Sequence, residues 1–422
     1  MRLAILFFAV LVASASLLWS AEPDWYEHLQ SARAALAEDD VEAAFPELLA
    51  VDSIVGGHPG AVFALAQIAA RRGYRGTALR HLRDYAAMGL SRSVKTDTTF
   101  AAWVGDSAFE AVSARLDSNA TPLARAEVAA KLTDPSLLVE DIAWDSRRHR
   151  FLLSSIHQRK IFVLNAEGSI VGFAASGAGW GVYGLAIDAA HSRVWATTAA
   201  SATTEGFVEA DSGRTALVAF DLATAAQVSR VELPRDGKAH VLGDLTVGRD
   251  GTVYVTESIG GGVYRLRPGR STLDTLLAPG ILHSPQMPAL STDGRLLIAD
   301  YVRGIAALEI PSRRVTWLPK PRTLASGGID GLYRDGHQLI AIQNGTHPHR
   351  VLELTLDARE TRILSWRVLE QASEWLGEPN HGTFVGKNFY FIGNSGWDRV
   401  NEAGALETPA DARPAALLRL AR

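Results

Sequence analysis

The chain contains no cysteine among its 422 residues. This absence excludes disulfide bonds, zinc sites built on thiolates, thiol nucleophiles and lipid attachment to an N-terminal cysteine. The sequence also has no excess of basic residues, because 42 Lys and Arg stand against 46 Asp and Glu, for a formal net charge of −4. Nucleic-acid recognition needs a basic surface, so we expect no nucleic-acid partner.

Long apolar runs are absent beyond the first 21 residues, so the mature chain is expected to have no transmembrane span. At the N-terminus, Arg2 precedes the apolar run LAILFFAVLVASASLLW, which is the layout of a secretory signal peptide. Residues 1–21 therefore predict export to the periplasm or the medium. The cleavage site stays open, because Ala13-Ser14-Ala15 leaves a short apolar core and a cut after Ala21 puts Trp19 where a small residue is needed. An uncleaved membrane anchor is the alternative.

Residues 22–120 are predicted to form a helical domain, because the segment from 25 to 90 is rich in Ala, Leu and Arg. Small and apolar residues recur there at a spacing of 34, as in the pairs Ala32/Ala66, Ala44/Ala78 and Leu48/Leu82. This spacing resembles two tetratricopeptide units, which dock peptides or partner proteins. Pro46 is expected to kink or shorten one helix. A third helical stretch, 98–116, is a candidate cap.

The last two-thirds of the chain repeats one pattern six times: an apolar strand, a tight turn and a second strand. The copies are EDIAWDSRRHRFLLSS (140–155), YGLAIDAAHSRVWATT (183–198), GDLTVGRDGTVYVTES (243–258), QMPALSTDGRLLIADY (286–301), DGLYRDGHQLIAIQNG (330–345) and HGTFVGKNFYFIGNSG (381–396). Repeats of this size built from short strands indicate a β-propeller. The predicted fold is an all-β six-bladed propeller, residues 121–422, behind an all-α tetratricopeptide-like domain.

Six outer strands accompany the copies, at 160–168, 216–224, 262–269, 304–312, 350–358 and 416–422. Residues 124–132 are compatible with either a last helix or a strand that closes the ring. The segment 200–213 is predicted to be a surface loop, and 367–380 a segment that overhangs one rim.

The residue that opens each copy is expected to face the central channel, since the innermost strand of every blade points one end at it. The openers are Glu140, Tyr183, Gly243, Gln286, Asp330 and His381. Trp180, Trp375 and Trp397 are candidates for an apolar wall at the mouth of this pocket, although single aromatic residues in blades are more often core.

The third and fourth copies resemble blades of the senescence marker protein/gluconolactonase family, and of related strictosidine synthase-like and paraoxonase-like propellers. The resemblance covers residues 139–422 and implies a lactone-hydrolysing enzyme with a divalent cation, usually Ca²⁺, at the channel mouth. By this resemblance Glu140 and Asp330 match cation ligands, and Gln286 replaces an asparagine ligand. Gly243 stands where a further asparagine is expected, so that ligand is missing. The arginine that anchors sugar acids falls at Val241, next to His240, so sugar-lactone specificity is not implied.

The residues themselves leave two functions open. Two carboxylates and an amide suit a hard cation, and Asp330 or Asp244 could then act as a general base. His381 either moves protons or positions substrate, or is a hydrogen-bonded polar residue. The candidate substrate pocket adds Tyr183, His240, Asn344 and Asn380. One reading is an exported metal-dependent hydrolase of a lactone or related ester. The other is a non-catalytic ligand-binding or scaffold protein whose helical repeats dock a partner protein or peptide.

Overall fold

The computed structural model describes residues 25–165, 168–175 and 179–422. The predicted signal peptide lies outside the described residues. Within them, no helix has both the length and the apolar character that a membrane crossing requires. The described chain consists of a helical module followed by a β-propeller of six four-stranded blades, as the sequence predicts.

The helical module begins with four short helices joined by tight connections, and a longer segment leads to a fifth helix. Its helices are α1 Trp25–Ala37, α2 Val41–Val55, α3 Pro59–Arg71, α4 Arg75–Ala87 and α5 Ser107–Ser118, with a 3₁₀ turn at Thr98–Trp103. Helix α1 packs on α2 and α3 on α4, so the first four helices form two hairpins. Fully buried alanines at the spacing of 34, such as Ala32 and Ala66, allow the helices to approach closely. The assignment to tetratricopeptide repeats remains a prediction.

Helix α2 begins and ends at recognisable capping residues. The Asp40 carboxylate accepts a hydrogen bond from the Ala43 amide at its start, and Gly56 adopts a left-handed conformation at its end. Pro46 lies inside this helix, which continues to Val55. Pro46 is the sixth residue of the helix and does not end it, so the expectation that it shortens the helix is wrong, whereas a kink at Pro46 stays a prediction.

Each blade is an antiparallel four-stranded sheet that runs outwards from the channel. The first blade contains β2 Val139–Asp145, β3 Arg150–Ser155, β4 Lys160–Leu164 and β5 Ile170–Ala175, and the second β6 Gly181–Asp188, β7 Arg193–Ala199, β8 Thr215–Asp221 and β9 Gln227–Glu232. The third contains β10 Leu242–Val247, β11 Val253–Glu257, β12 Val263–Leu266 and β13 Asp274–Leu277, and the fourth β14 Pro285–Leu290, β15 Leu296–Asp300, β16 Gly304–Leu308 and β17 Val315–Trp317. The fifth contains β18 Ile329–Asp335, β19 Gln338–Gln343, β20 Arg350–Leu356 and β21 Ile363–Gln371, and the sixth β22 Gly382–Val385, β23 Asn388–Gly393, β24 Ala416–Ala421 and β1 Glu127–Lys131.

The sixth blade closes the ring by combining the two ends of the propeller. Strand β1 pairs antiparallel with β24, with Glu127 opposite Arg419 and Lys131 opposite Ala416. The ambiguous segment 124–132 is therefore a strand and not a helix. The predicted outer strands are the third strands of their blades. The prediction that residues 367–380 overhang one rim is wrong for the first of these residues, because they belong to the outermost strand β21.

The second strand of each blade is largely buried because neighbouring blades cover it from either side. All five residues of β15, Leu296–Asp300, are buried, as are all five of β11. Buried clusters accordingly form between adjacent blades, for example between the fourth and fifth. This packing explains why the inner copies show continuous apolar runs.

The helical module packs on the rim where the innermost strands begin, over the fourth and fifth blades. Arg350, at the start of β20, is fully buried there and donates hydrogen bonds to Gln343 Oε1 (2.7 Å), Met88 O (3.0 Å) and Gly89 O (3.2 Å). Ala325, in the loop before β18, belongs to the buried cluster of the helices. The module therefore lies on the same face of the propeller as the channel mouth.

Candidate functional site

Three ionisable side chains meet at the channel end of the inner strands. Ligand-type atoms of Asp244, Asp330 and His381 all lie within 4.8 Å of one another. His381 Nε2 is 3.2 Å from Asp244 Oδ1 and 3.7 Å from Asp330 Oδ1. We call these three residues the central cluster. They come from the third, fifth and sixth blades, so the ring closure places them together.

His381 is held in place by the fifth blade. Its Nδ1 is 3.1 Å from the Tyr333 hydroxyl, which also accepts a hydrogen bond of 2.7 Å from the Gly382 amide. Burial raises the pKa of Tyr333 well above its usual value, and nearby carboxylates add to this effect. The hydroxyl therefore stays neutral and fixes the ring, with Nε2 buried near the two aspartates but without a hydrogen bond to a described residue.

The central cluster buries the His381 imidazole among several carboxyl groups. Burial by itself lowers the pKa of His381, but the negative charges of Asp244, Asp330, Asp141 and Glu140 outweigh it and raise that pKa to about 10. The imidazole is therefore a cation at neutral pH. Burial raises the pKa of Asp244 well above its usual range, while His381 opposes this rise. The burial of like charges in one channel is typical of functional sites, although structural networks also produce it.

Glu140 lies beside the central cluster, in the first blade. Its Oε2 accepts hydrogen bonds from Asn380 Nδ2 (2.8 Å) and Trp397 Nε1 (2.6 Å). Burial, followed by repulsion from Asp330, raises the pKa of Glu140 to about 7. Trp397 thus contributes a hydrogen-bond donor to the pocket rather than only an apolar wall.

Two amide side chains connect the predicted ligands. Asn344 donates from Nδ2 to Asp330 Oδ2 (2.8 Å) and to Pro379 O (3.1 Å). The Oδ1 atoms of Asn344 and Asn380 are both buried and accept no hydrogen bond from a described residue. Buried acceptors without a donor are costly, so two unpartnered amide oxygens next to two carboxylates indicate a place for a cation or water.

The other predicted pocket residues have separate partners. Gln286 donates to Ser284 Oγ (3.0 Å), and the Tyr183 hydroxyl donates to Ser201 Oγ (3.0 Å). Burial raises the pKa of Tyr183 to about 12. His240 Nε2 lies 2.9 Å from Asp236 Oδ1, so this side chain is tied to the loop before the third blade.

Asp141 is a channel carboxylate that we did not predict. It is 1% exposed, and its Oδ2 accepts a hydrogen bond of 2.6 Å from the Leu185 amide of the next blade. Burial raises its pKa to about 6. Asp141 and Asp244 both stand one position after the opening residue of their copies. Alignment of the copies at this second position could have found it.

Threonine hydroxyl groups on the second strands form hydrogen bonds with the backbone of the inner strands. Thr197 Oγ1 accepts from the Gly184 amide at 2.8 Å and donates to the Gly243 carbonyl oxygen, and Thr256 Oγ1 donates to Asp244 O at 3.2 Å. Gly184 packs against this point so closely that a Cβ would lie 2.6 Å from Gly243 O. These contacts set the position of Asp244 in the channel.

No protein-family model matches the chain, and no curated protein matches its sequence significantly. Among solved structures, a luciferin-regenerating enzyme is similar with a TM-score of 0.50 and 12% identity, over 72% of this chain and 96% of that chain. A PQQ-bound aldose sugar dehydrogenase from Streptomyces coelicolor has a TM-score of 0.49 and 14% identity, over 72% of this chain and 100% of that chain. A gluconolactonase from Xanthomonas campestris has a TM-score of 0.46 and 17% identity, over 71% of this chain and 95% of that chain.

These similarities concern the propeller fold. At 12% identity the first shows a shared fold and nothing about chemistry, and the TM-scores of the other two fall below 0.5, so we draw nothing from them.

Proposed function

We propose that the channel is the active site of an exported hydrolase that opens a lactone or a related ester with the help of a divalent cation. The observation that supports this proposal is the central cluster of Asp244, Asp330 and His381 beside Glu140, next to two amide oxygens that accept no hydrogen bond from a described residue. Clusters of buried charged groups are concentrated at functional sites. We expect the protein to act in the periplasm or outside the cell.

The donor chemistry of the channel fits a hard cation. The proposed ligands are the carboxylates of Glu140 and Asp330 and the amide of Gln286, and the free amide oxygens of Asn344 and Asn380 can add to them. Ca²⁺ takes six to eight oxygen ligands of these types. A bound cation would polarise the carbonyl of the substrate and lower the pKa of a water molecule.

Side-chain exposure is the basis on which we assign the general base and the positioning residues. Asp330 has a side chain that is 14% exposed, whereas those of His381 and Asp244 are 1% and 3% exposed. Of these three side chains, Asp330 is therefore the one that can reach a water molecule and accept its proton as the water attacks the carbonyl carbon. The imidazolium of His381 stabilises the negative charge of Asp330. We therefore assign His381 and Asp244 as positioning residues.

The cation site is tested by thermal denaturation with CaCl₂, MgCl₂ or EDTA. A ligand at one hundred times its dissociation constant stabilises the fold by about 2.7 kcal/mol, which raises Tm by a few degrees. We expect CaCl₂ to produce this shift and the double variant Glu140→Gln/Asp330→Asn to lose it. The unfolding free energy of the variant without cation is measured as well, because Glu140 and Asp330 also balance the charge of His381. A cooperative unfolding transition without cation shows that a lost calcium response does not reflect unfolding.

The matched control is Glu402→Gln/Asp411→Asn, which neutralises two exposed carboxylates of the same types. It should keep the full calcium response. Hydrolysis of a lactone panel is followed by proton release in a weakly buffered indicator assay, and Asp330→Asn should abolish it. The absence of both a calcium shift and any lactone turnover would overturn the proposal.

A second candidate function is non-catalytic ligand binding or scaffolding. It is favoured by the helical module, which packs on the channel-mouth face over the fourth and fifth blades. In this case the channel would bind a small ligand and the helical hairpins a partner peptide. Calcium binding without turnover of any lactone or ester would support this alternative.

A further inference from the structure

A cavity lies outside the channel, between the helical module and the outer edge of the fourth blade. Its volume is about 1020 Å³. Its walls are the start of α1, the end of α2, strand β17 and the loops that precede β14, β16 and β18. Cavities at the junction of two structural units, with volumes up to about 1,000 Å³, are typical of small-molecule sites. We call this cavity the edge cleft.

The charged side chains that line the edge cleft are all positive. Among the described residues, its lining includes four cationic side chains and no aspartate or glutamate, although the whole chain carries a net charge of −4. The cations are Arg303, Arg314, Lys320 and Arg322. Arg314 pairs with Glu309 and Arg322 with Asp52 (2.8 Å), but neither carboxylate lines the cleft. A cleft lined by charges of one sign concentrates ligands of the opposite sign.

Lys320 is held without a carboxylate in contact. Its Nζ donates to Gly56 O and Leu324 O, each at 2.9 Å, and the described residues place no acidic oxygen within ion-pair distance. Burial, with repulsion from Arg322, lowers its pKa to about 8. An anion beside this ammonium would replace the solvation that it loses in the cleft.

The apolar part of the cleft is aromatic. The Arg303 guanidinium lies 4.2 Å from the centre of the Trp317 ring and 5.4 Å from that of Trp25. The His283 ring lies 5.6 Å from Trp25, and the apolar side chains of Ile54 and Ile281 continue the wall. A ring-shaped or apolar body can therefore lie against the half-buried Trp317 indole, behind which Trp25 is buried, while its charged group faces the cations.

We propose that the edge cleft is a binding site for a small organic anion that joins an aromatic or apolar body to a sulfonate, carboxylate or phosphate group. The site is separate from the channel and does not depend on the hydrolase proposal. Because the ligand touches both α2 and β17, its binding also stabilises the contact between the helical module and the propeller.

The test titrates the full chain with the aromatic sulfonate 1-anilinonaphthalene-8-sulfonate and follows its fluorescence. The uncharged analogue N-phenyl-1-naphthylamine serves as the second probe. We expect one sulfonate per chain, with the neutral probe bound at least about tenfold more weakly, since a hydrogen bond to a charged group contributes about 1.5–3 kcal/mol. Equal affinities for the two probes, or many weak sites, would overturn the proposal.

Variants locate the site. Ser53 is exposed at the end of α2 and lines the cleft, so Ser53→Glu adds a carboxylate there without removing any contact. We expect it to weaken sulfonate binding by about tenfold, because like charges at one site repel each other. The control Gln30→Glu adds the same charge on the exposed side of α1 and should change nothing. Lys320→Met should weaken binding to a similar degree.

The channel variant Glu140→Gln/Asp330→Asn separates the two sites. It should bind the sulfonate as the parent does, and Ser53→Glu should keep any lactone hydrolysis. Loss of sulfonate binding in the channel variant, or unchanged binding in Ser53→Glu, would show that the probe does not occupy the edge cleft.

Discussion

Replacement of His381 by glutamine removes the one cation of the central cluster and leaves Asp244 and Asp330 facing each other. Two unit charges at 3.2 Å attract by about 5 kcal/mol at an effective dielectric constant of 20. A folded-state pKa of about 10 gives a similar figure, because at pH 7 the imidazole is about three pH units below it and each unit corresponds to about 1.4 kcal/mol. We expect the variant to lose about 4 kcal/mol of unfolding free energy at pH 7, within the range for a broken buried ion pair.

The pH dependence of this loss identifies its cause. The pKa of His381 is raised above its unfolded value, so its stabilisation declines as pH rises and is lost through pH 10. As pH falls, Glu140 takes up a proton through about pH 7 and Asp141 through about pH 6, and both then need the cation less. The difference between parent and variant should therefore be largest near pH 7 and smaller at pH 5 and pH 10.

Urea denaturation followed by circular dichroism measures the difference at each pH. The exposed histidine variant His337→Gln is the control and should stay within about 0.5 kcal/mol of the parent. The double variant Asp244→Asn/His381→Gln should recover part of the loss, since it removes one of the two unpaired carboxylates. A loss below about 1 kcal/mol at pH 7, or an equal loss at pH 7 and pH 10, would refute a charged His381.

Two further substitutions test the packing around the site. Arg350→Met removes three hydrogen bonds, one of them to Gln343, and leaves buried acceptors behind, so we expect a loss of about 3–5 kcal/mol in urea denaturation. Gly184→Ala places a methyl group 2.6 Å from the Gly243 carbonyl oxygen, next to Asp244. It should cost about 1–3 kcal/mol by calorimetry and reduce hydrolysis more than a change of stability alone would.

Each of these substitutions has a matched control. Arg270→Met removes an exposed arginine from a turn, and Gly294→Ala changes a glycine whose added Cβ meets nothing within 4 Å, although its φ of 84° adds some strain. Arg270→Met and Gly294→Ala should each lower the unfolding free energy less than Arg350→Met and Gly184→Ala do. Arg350→Met with parental stability would show that the buried arginine does not hold the helical module on the propeller.

The fold could be predicted from the sequence because it rests on local patterns. Each blade requires a short apolar strand, a turn and another strand, and the six copies carry that pattern within about 16 residues each. The outermost strands were missed because one face of each is exposed and their patterns are weak, as in β17 with its three residues. Segment 124–132 stayed ambiguous for a related reason, since only its pairing with β24 makes it a strand.

The site was only partly predictable. Asp330, His381 and Glu140 open their copies, so alignment of the repeats placed them on the channel, and Asp244 followed from its position next to Gly243. Asp141 has the same position in the first copy and was overlooked. Tyr333 carries no repeat signal that marks it as the partner of His381.

The sequence by itself determined the number of blades, the residues that open them and the separation into helices and propeller, because these depend on periodicity and on contacts close in the chain. The tertiary structure decided which openers meet. His381 faces Asp244 and Asp330 only because the ring closes, and those residues are more than 50 positions apart in the chain. The raised pKa values and the edge cleft have the same origin, since burial and surface shape arise from packing between distant segments.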